Sequence, residues 1–208
     1  MRNFLPRPWQ KILPGVVLAA GFGLSPATAI AETETYQFDK GHTEIRFSWD
    51  HVGLSIQSGE FREYEGTVMW DRENLENSKV DVTIKAASID TGVPPLDEHL
   101  SSADFFDVAK FPEITFKSTS VRQTGVDLGA VTGDLTIHGQ TRPVTLEVAL
   151  NFQGDHPLAP FIEAYAGAPY AAFRASTEIL RSDFELGMFA PLTSDRIEIV
   201  IQTEMRRQ

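Results

Sequence analysis

Residues 144–152 read Val-Thr-Leu-Glu-Val-Ala-Leu-Asn-Phe. Val144, Leu146, Val148, Leu150 and Phe152 alternate with Thr145, Glu147, Ala149 and Asn151. A period of two puts the apolar set on one face of an extended strand and leaves the other face mostly polar. An antiparallel strand with one wet side has this pattern. It recurs in Ile45-Phe47-Trp49, Val80-Val82-Ile84, Ile114-Phe116, Phe173-Ala175-Thr177-Ile179 and Ile197-Ile199-Ile201. Gly66 to Trp70 and Gly133 to Ile137 are shorter runs of the same kind. Turn-forming clusters such as Asp71-Arg72-Glu73-Asn74 and His138-Gly139-Gln140 separate them. Eight such runs predict an all-β domain, a sandwich or a barrel. Hairpin-like spacing favours an eight-stranded antiparallel barrel, whose closure removes exposed edges.

Two stretches break the period. Pro94-Pro95-Leu96-Asp97-Glu98-His99-Leu100, continuing to Phe106, starts with prolines and has acids in its first turn. This predicts a short helix capping one barrel end. Gly154 to Tyr170, with Pro157, Pro160 and Pro169, predicts a long loop. Loops of that length in a compact domain are often functional.

The first 31 residues differ from the rest. They carry Arg2, Arg7 and Lys11 but no acid, then an apolar run from Ile12 to Leu24 and small residues around Ala27, Ala29 and Ala31. The run is shorter than the roughly 20 residues a membrane span needs. A secretory signal peptide over 1–31 is expected, cleaved after Ala29 or Ala31, with a periplasmic domain over 32–208. No later segment is apolar enough to span a bilayer, so no stable membrane insertion is expected. Without residues 1–31 the chain has 15 basic and 29 acidic side chains, a net charge of −14. That balance excludes a nucleic-acid partner, which needs a basic stripe. The absence of cysteine excludes disulfides, thiolate metal sites and cysteine nucleophiles.

Catalytic signatures are missing: there is no G-x-S-x-G, no phosphate loop and no H-E-x-x-H. Gly125, Gly129 and Gly133 recur every fourth residue but read as turn glycines. His42, His51, His99, His138 and His156 show no metal-pair spacing, so no metal site is expected. Asp97-Glu98, and Asp104 with Asp107, read as solvated or capping acids. Arg181 beside Asp183 reads as a local ion pair, or as a cation at a barrel mouth. The many aromatic residues at strand positions would suit a filled interior or a ligand cavity equally, since both use apolar linings.

At this point the chain resembles the YceI-like family of extracytoplasmic lipid-binding proteins, from Tyr36 to about Glu204. The resemblance rests on several blocks. The most specific is Ala87-Ser88-Ile89-Asp90-Thr91-Gly92, then Asp97-Glu98-His99-Leu100, the run from Ser102 to Val108 and the run from Lys110 to Thr119. Gly59-Glu60-Phe61 with Gly66, the run from Gly133 to Val144, and Arg181-Ser182-Asp183-Phe184 agree with it. The family usually has Arg at the position of Leu96, often Arg at Ser101, and Gly at Glu185. The resemblance implies a lipocalin-like barrel, an elongated apolar cavity and no catalytic residues or cofactor. It also implies one bound long-chain amphiphile, such as a prenyl quinone, a prenyl phosphate or a fatty-acid derivative, and a homodimer as a common assembly. The missing arginines and the acidic balance favour a neutral head group. A filled barrel serving as a partner-binding module is the alternative. Alternation nominates Phe47, Trp49, Val68, Trp70, Val82, Ile84, Phe116, Leu135, Leu146, Val148, Phe173 and Ile199 as inward, ligand-binding residues. Asp97, His99 and Arg181 are the expected head-group contacts.

Overall fold

A computed structural model describes residues 33–208. The signal-peptide reading of 1–31 falls outside those residues. The strands are β1 Glu34–His51, β2 Ser55–Phe61, β3 Tyr64–Trp70, β4 Lys79–Lys85 and β5 Ile89–Asp90. One helix follows, α1 Pro94–Ser101, then β6 Glu113–Gly125, β7 Leu128–Ile137, β8 Gln140–Asp155, β9 Pro169–Leu180 and β10 Arg196–Arg207. Among the described residues no helix is long and apolar enough to cross a membrane.

Every ladder is antiparallel, and from β6 to β10 each strand pairs with the next in the chain, while β6 also pairs with β4, β4 with β3, and β1 with both β2 and β3. The meander closes where β10 pairs with β1, for example at Ile45 with Ile201 and Phe47 with Ile199. β2 and β3 both run along β1 and act as one strand interrupted at Arg62-Glu63. β4 and β5 are likewise interrupted by a 3-10 turn at Ala86–Ser88. The result is a closed up-and-down barrel of eight antiparallel strands. The eight alternating runs of the sequence supply one strand each.

Turns follow local chemistry. His138 and Gly139 both have positive φ, 51° and 74°, in the two-residue hairpin between β7 and β8. Such a turn matches the twist of the flanking strands. Gly133 is no turn residue. It lies within β7, where a Cβ would come 2.6 Å from both the Phe116 ring and the Lys117 carbonyl oxygen, so only glycine lets that ring lie flat on the wall.

Bulges correct the simple period. In β8 the register shifts between Leu150 and Phe152. The extra residue turns Phe152 out of the barrel and brings Gln153 in. In β1 the four residues Asp39 to His42 stand opposite Glu204 alone. The helix is shorter than the sequence suggests. It stops at Ser101, where the Ser102 N–H and hydroxyl both donate to the His99 carbonyl, and tight turns carry the chain to Phe111.

Candidate functional site: an apolar cavity inside the barrel

The barrel is hollow. Its interior holds a cavity of about 950 Å³, which excludes the filled-interior alternative. Ligand pockets generally span roughly 300–1,000 Å³, so this one is at the large end. The wall is built by the inward alternate residues of every barrel strand. Phe47 and Trp49 come from β1, Val68 and Trp70 from β3, Val82 and Ile84 from β4, and Phe116 from β6. Leu135 lies on β7, Leu146 and Val148 on β8, Phe173 on β9 and Ile199 on β10. All twelve residues nominated by alternation therefore face the same space. Their rings pack on one another: Phe47 stacks on Trp49 at 5.8 Å, and Trp70 meets Phe173 edge-on at 5.3 Å. Such contacts fix the rings and keep the wall smooth.

One end lies under α1. Leu96, His99 and Leu100 of the helix, with Phe105, Phe106 and Phe189, join the lining there. Phe106 meets Phe61 edge-on at 5.9 Å, and His99 meets Phe105 in the same way at 5.1 Å. Phe189 lines the cavity and is still 56% exposed, so it stands at the rim.

The opposite end is tied by a polar cluster. Arg72 lies over the Trp70 ring at 5.1 Å, donates to the Tyr36 hydroxyl at 3.0 Å and sits 3.2 Å from Glu34. Arg207 reaches the other Glu34 oxygen at 2.5 Å, so the pair joins the last strand to the first. Turning the Gln153 amide so that its oxygen faces Arg72 would add an acceptor for the guanidinium. Burial pushes the Glu34 carboxyl up, but hydrogen bonds from Arg207 and Tyr36 and the charge of Arg72 outweigh it and hold its pKa below the ordinary range. Burial raises the Tyr36 phenol.

Two of the three nominated head-group contacts have other partners. Asp97 does not line the cavity. Its Oδ1 accepts from the Thr91 N–H at 2.8 Å and the Thr91 hydroxyl at 2.6 Å, tying α1 to β5. Arg181 lines the cavity and is 9% exposed, yet its guanidinium has no free donor. Nε donates to the Ser194 carbonyl, Nη1 to those of Leu186 and Met188, and Nη2 to the carbonyl and hydroxyl of Thr193. All five N–H groups are used. Arg181 therefore pins the 186–194 loop, and Asp195, not Asp183, is its nearby acid. Desolvation lowers its pKa. His99 does reach the cavity, 3.5 Å from Asp104 on its outer side. Sequence reading missed His51, Gln57, Gln123 and Gln153 in the lining. They are polar residues on the inward face, which an apolar pattern does not mark. Among the described residues the lining includes one carboxylate, Asp127, in the β6–β7 turn.

A closed antiparallel barrel around an apolar cavity defines the lipocalin-like class, barrels whose inside is sized for a ligand. Residues 36–205 match the YceI-like domain, and the chain belongs to that family. It is 39% identical over 197 residues to Protein YceI of Salmonella arizonae, covering 94% of this chain and 97% of that one. It is similar to the crystal structure of the YceI protein of Campylobacter jejuni, with a TM-score of 0.66 and 28% identity over 76% of this chain and 90% of that one. The fold is shared with a polyisoprenoid binding domain from Saccharophagus degradans, with a TM-score of 0.62, 11% identity, and coverage of 83% of this chain and 98% of that one.

Proposed function

We propose that the protein is an exported carrier or reservoir that encloses the tail of one long-chain isoprenoid in its barrel. The observation that carries this reading is the cavity of about 950 Å³ with an inward wall from Phe47 to Ile199 that is mostly apolar. A hydrocarbon tail is the ligand such a wall accepts without leaving polar groups unpaired. Apolar burial at roughly 25 cal/mol per Å² can drive binding after ordering costs are met. Family membership and the shared fold with a polyisoprenoid binding domain support the same class of ligand.

His51, Gln57 and His99 line the α1 end and would face a head group held there. A neutral head such as a quinone suits it better than a phosphate. Arg181 has no donor to offer, and Leu96 presents hydrocarbon at this end. The protein binds its ligand and does not transform it. The alternating wall is mostly hydrocarbon, and Asp127, the carboxylate in the lining, lies in the β6–β7 turn, whereas His51 and His99 stand at the α1 end. Export to the periplasm rests on the N-terminal basic and apolar run.

Mass spectrometry of an organic extract of the purified protein tests the reading. A prenyl chain at about one per barrel is expected. An extract free of lipid, together with no uptake of added prenyl quinone, would contradict it.

A further inference from the structure

The β1 bulge and the long 156–168 loop have no part in the barrel cavity, and they meet on the barrel's outer face. We propose that Asp39, His42 and Glu204 form a site for one divalent transition-metal ion of the zinc type. The bulge creates the juxtaposition. Phe38 pairs with Met205 and Thr43 with Thr203, so Asp39 to His42 fold over the one residue between those partners, Glu204.

The donor atoms converge. His42 Nδ1 is 3.1 Å from Asp39 Oδ2 and 4.0 Å from Glu204 Oε2, and the three donor atoms lie within 4.8 Å of one another. Zinc bonds to N and O are about 2.0–2.1 Å long, which spaces tetrahedral ligands a little over 3 Å apart. Side-chain adjustment of about an ångström or less per donor closes the site. Asp39 is already oriented, because its other oxygen accepts the Gly41 N–H at 2.9 Å. One imidazole with two carboxylates suits a borderline ion. Calcium and magnesium prefer shells of oxygen alone.

The surroundings supply the outer support such a site needs. His156 Nδ1 accepts the Leu158 N–H at 3.1 Å, so its proton belongs on Nε2, which faces Glu204 Oε2 at 3.6 Å. Groups of this kind orient metal-binding carboxylates. Tyr165, in the 3-10 turn Glu163–Tyr165 of the long loop, stacks on His156 at 3.9 Å and lies 6.3 Å from His42. A second cavity of about 340 Å³, lined by His156, Tyr170, Phe152 and Glu204, leaves room for water to complete the coordination shell. The acidic chain, net charge −11, also favours cation approach.

Calorimetric titration of the untagged protein with zinc chloride tests the proposal, with calcium chloride as comparison. One zinc per chain is expected, with no saturable heat from calcium. His42→Ala and Glu204→Gln should each weaken zinc binding by about tenfold or more while leaving the lipid content unchanged. Asp39→Asn, which keeps the side-chain shape, provides a second check should either variant misfold. In histidine-ring NMR spectra, zinc should move the His42 and His156 signals. Absence of saturable zinc binding would overturn the proposal. So would unchanged affinity in folded His42→Ala and Asp39→Asn, or movement confined to His51 or His99.

Discussion

Val82 and Thr83 are adjacent in β4 and separate the inside of the barrel from the outside. Val82 stands between Gly66 of β3 and Phe116 of β6 and faces the cavity. Thr83 stands between Glu65 and Thr115 and faces solvent. Val82→Asp would put a carboxylate against the Phe116 ring, in mid-wall. Of the arginines along the cavity, Arg72 is held by Glu34, Arg181 is saturated by carbonyls, and the exposed Arg46 lies 3.9 Å from Glu44. A prenyl tail covering the introduced carboxylate would leave a charged group without a partner, at a cost above the roughly 1–3 kcal/mol of a neutral one. Each 1.4 kcal/mol is a factor of ten, so isoprenoid affinity should fall by about 100-fold or more. Thr83→Asp adds the same charge outside and should change affinity by about twofold at most. The assay is saturation binding of a labelled prenyl quinone, with thermal melting to confirm that both variants fold. Equal losses in the two variants, or a larger loss from Thr83→Asp, would refute the assignment of faces.

Other outcomes follow from the ends and turns. Val52 has a φ of 55° in the β1–β2 turn, a conformation that β-branched residues rarely adopt, so Val52→Asn should add about 1 kcal/mol and raise Tm by about 2–4 °C in calorimetry. Arg181→Lys cannot reach four carbonyls at once and should lower urea stability by about 2–4 kcal/mol while leaving isoprenoid affinity within about threefold. A loss of affinity without a loss of stability would return Arg181 to a head-group role. The Glu34 pKa is lowered on folding, so its contribution is present above the ordinary carboxylate range and is lost as pH falls through the lowered value. Glu34→Gln should therefore flatten the acid limb of the stability–pH curve, and an unchanged acid limb would contradict the latch between β1 and β10.

The barrel is legible in the sequence because burial on one side leaves an alternating record. Val144 to Leu150, Val80 to Ile84 and Ile197 to Ile201 each carry that record and each form a wall of the cavity. β2 leaves no such record, because Ser-Ile-Gln-Ser-Gly-Glu-Phe has no apolar face. At the barrel end its Gly59 lies under the Phe47 ring, which covers the wall in its place. Alternation points Phe152 inward because a bulge adds one residue without changing composition. Asp97 and Arg181 escape sequence reading for a different reason. Their residue types suit a head group, but neighbouring backbone and hydroxyl groups consume their hydrogen-bonding capacity, and that depends on tertiary structure alone. His42 and Glu204 lie 162 positions apart, and only the closure of β1 on β10 brings them together.

Enclosure of an isoprenoid tail by this barrel can be read from its own tryptophans. Trp49 and Trp70 both line the cavity, near its two ends. Titration of delipidated protein with a long-chain prenyl quinone, followed by tryptophan fluorescence, therefore reports occupancy directly. Saturable quenching that ends at one quinone per barrel is expected. Folded protein whose fluorescence shows no saturable change would contradict enclosure of the tail.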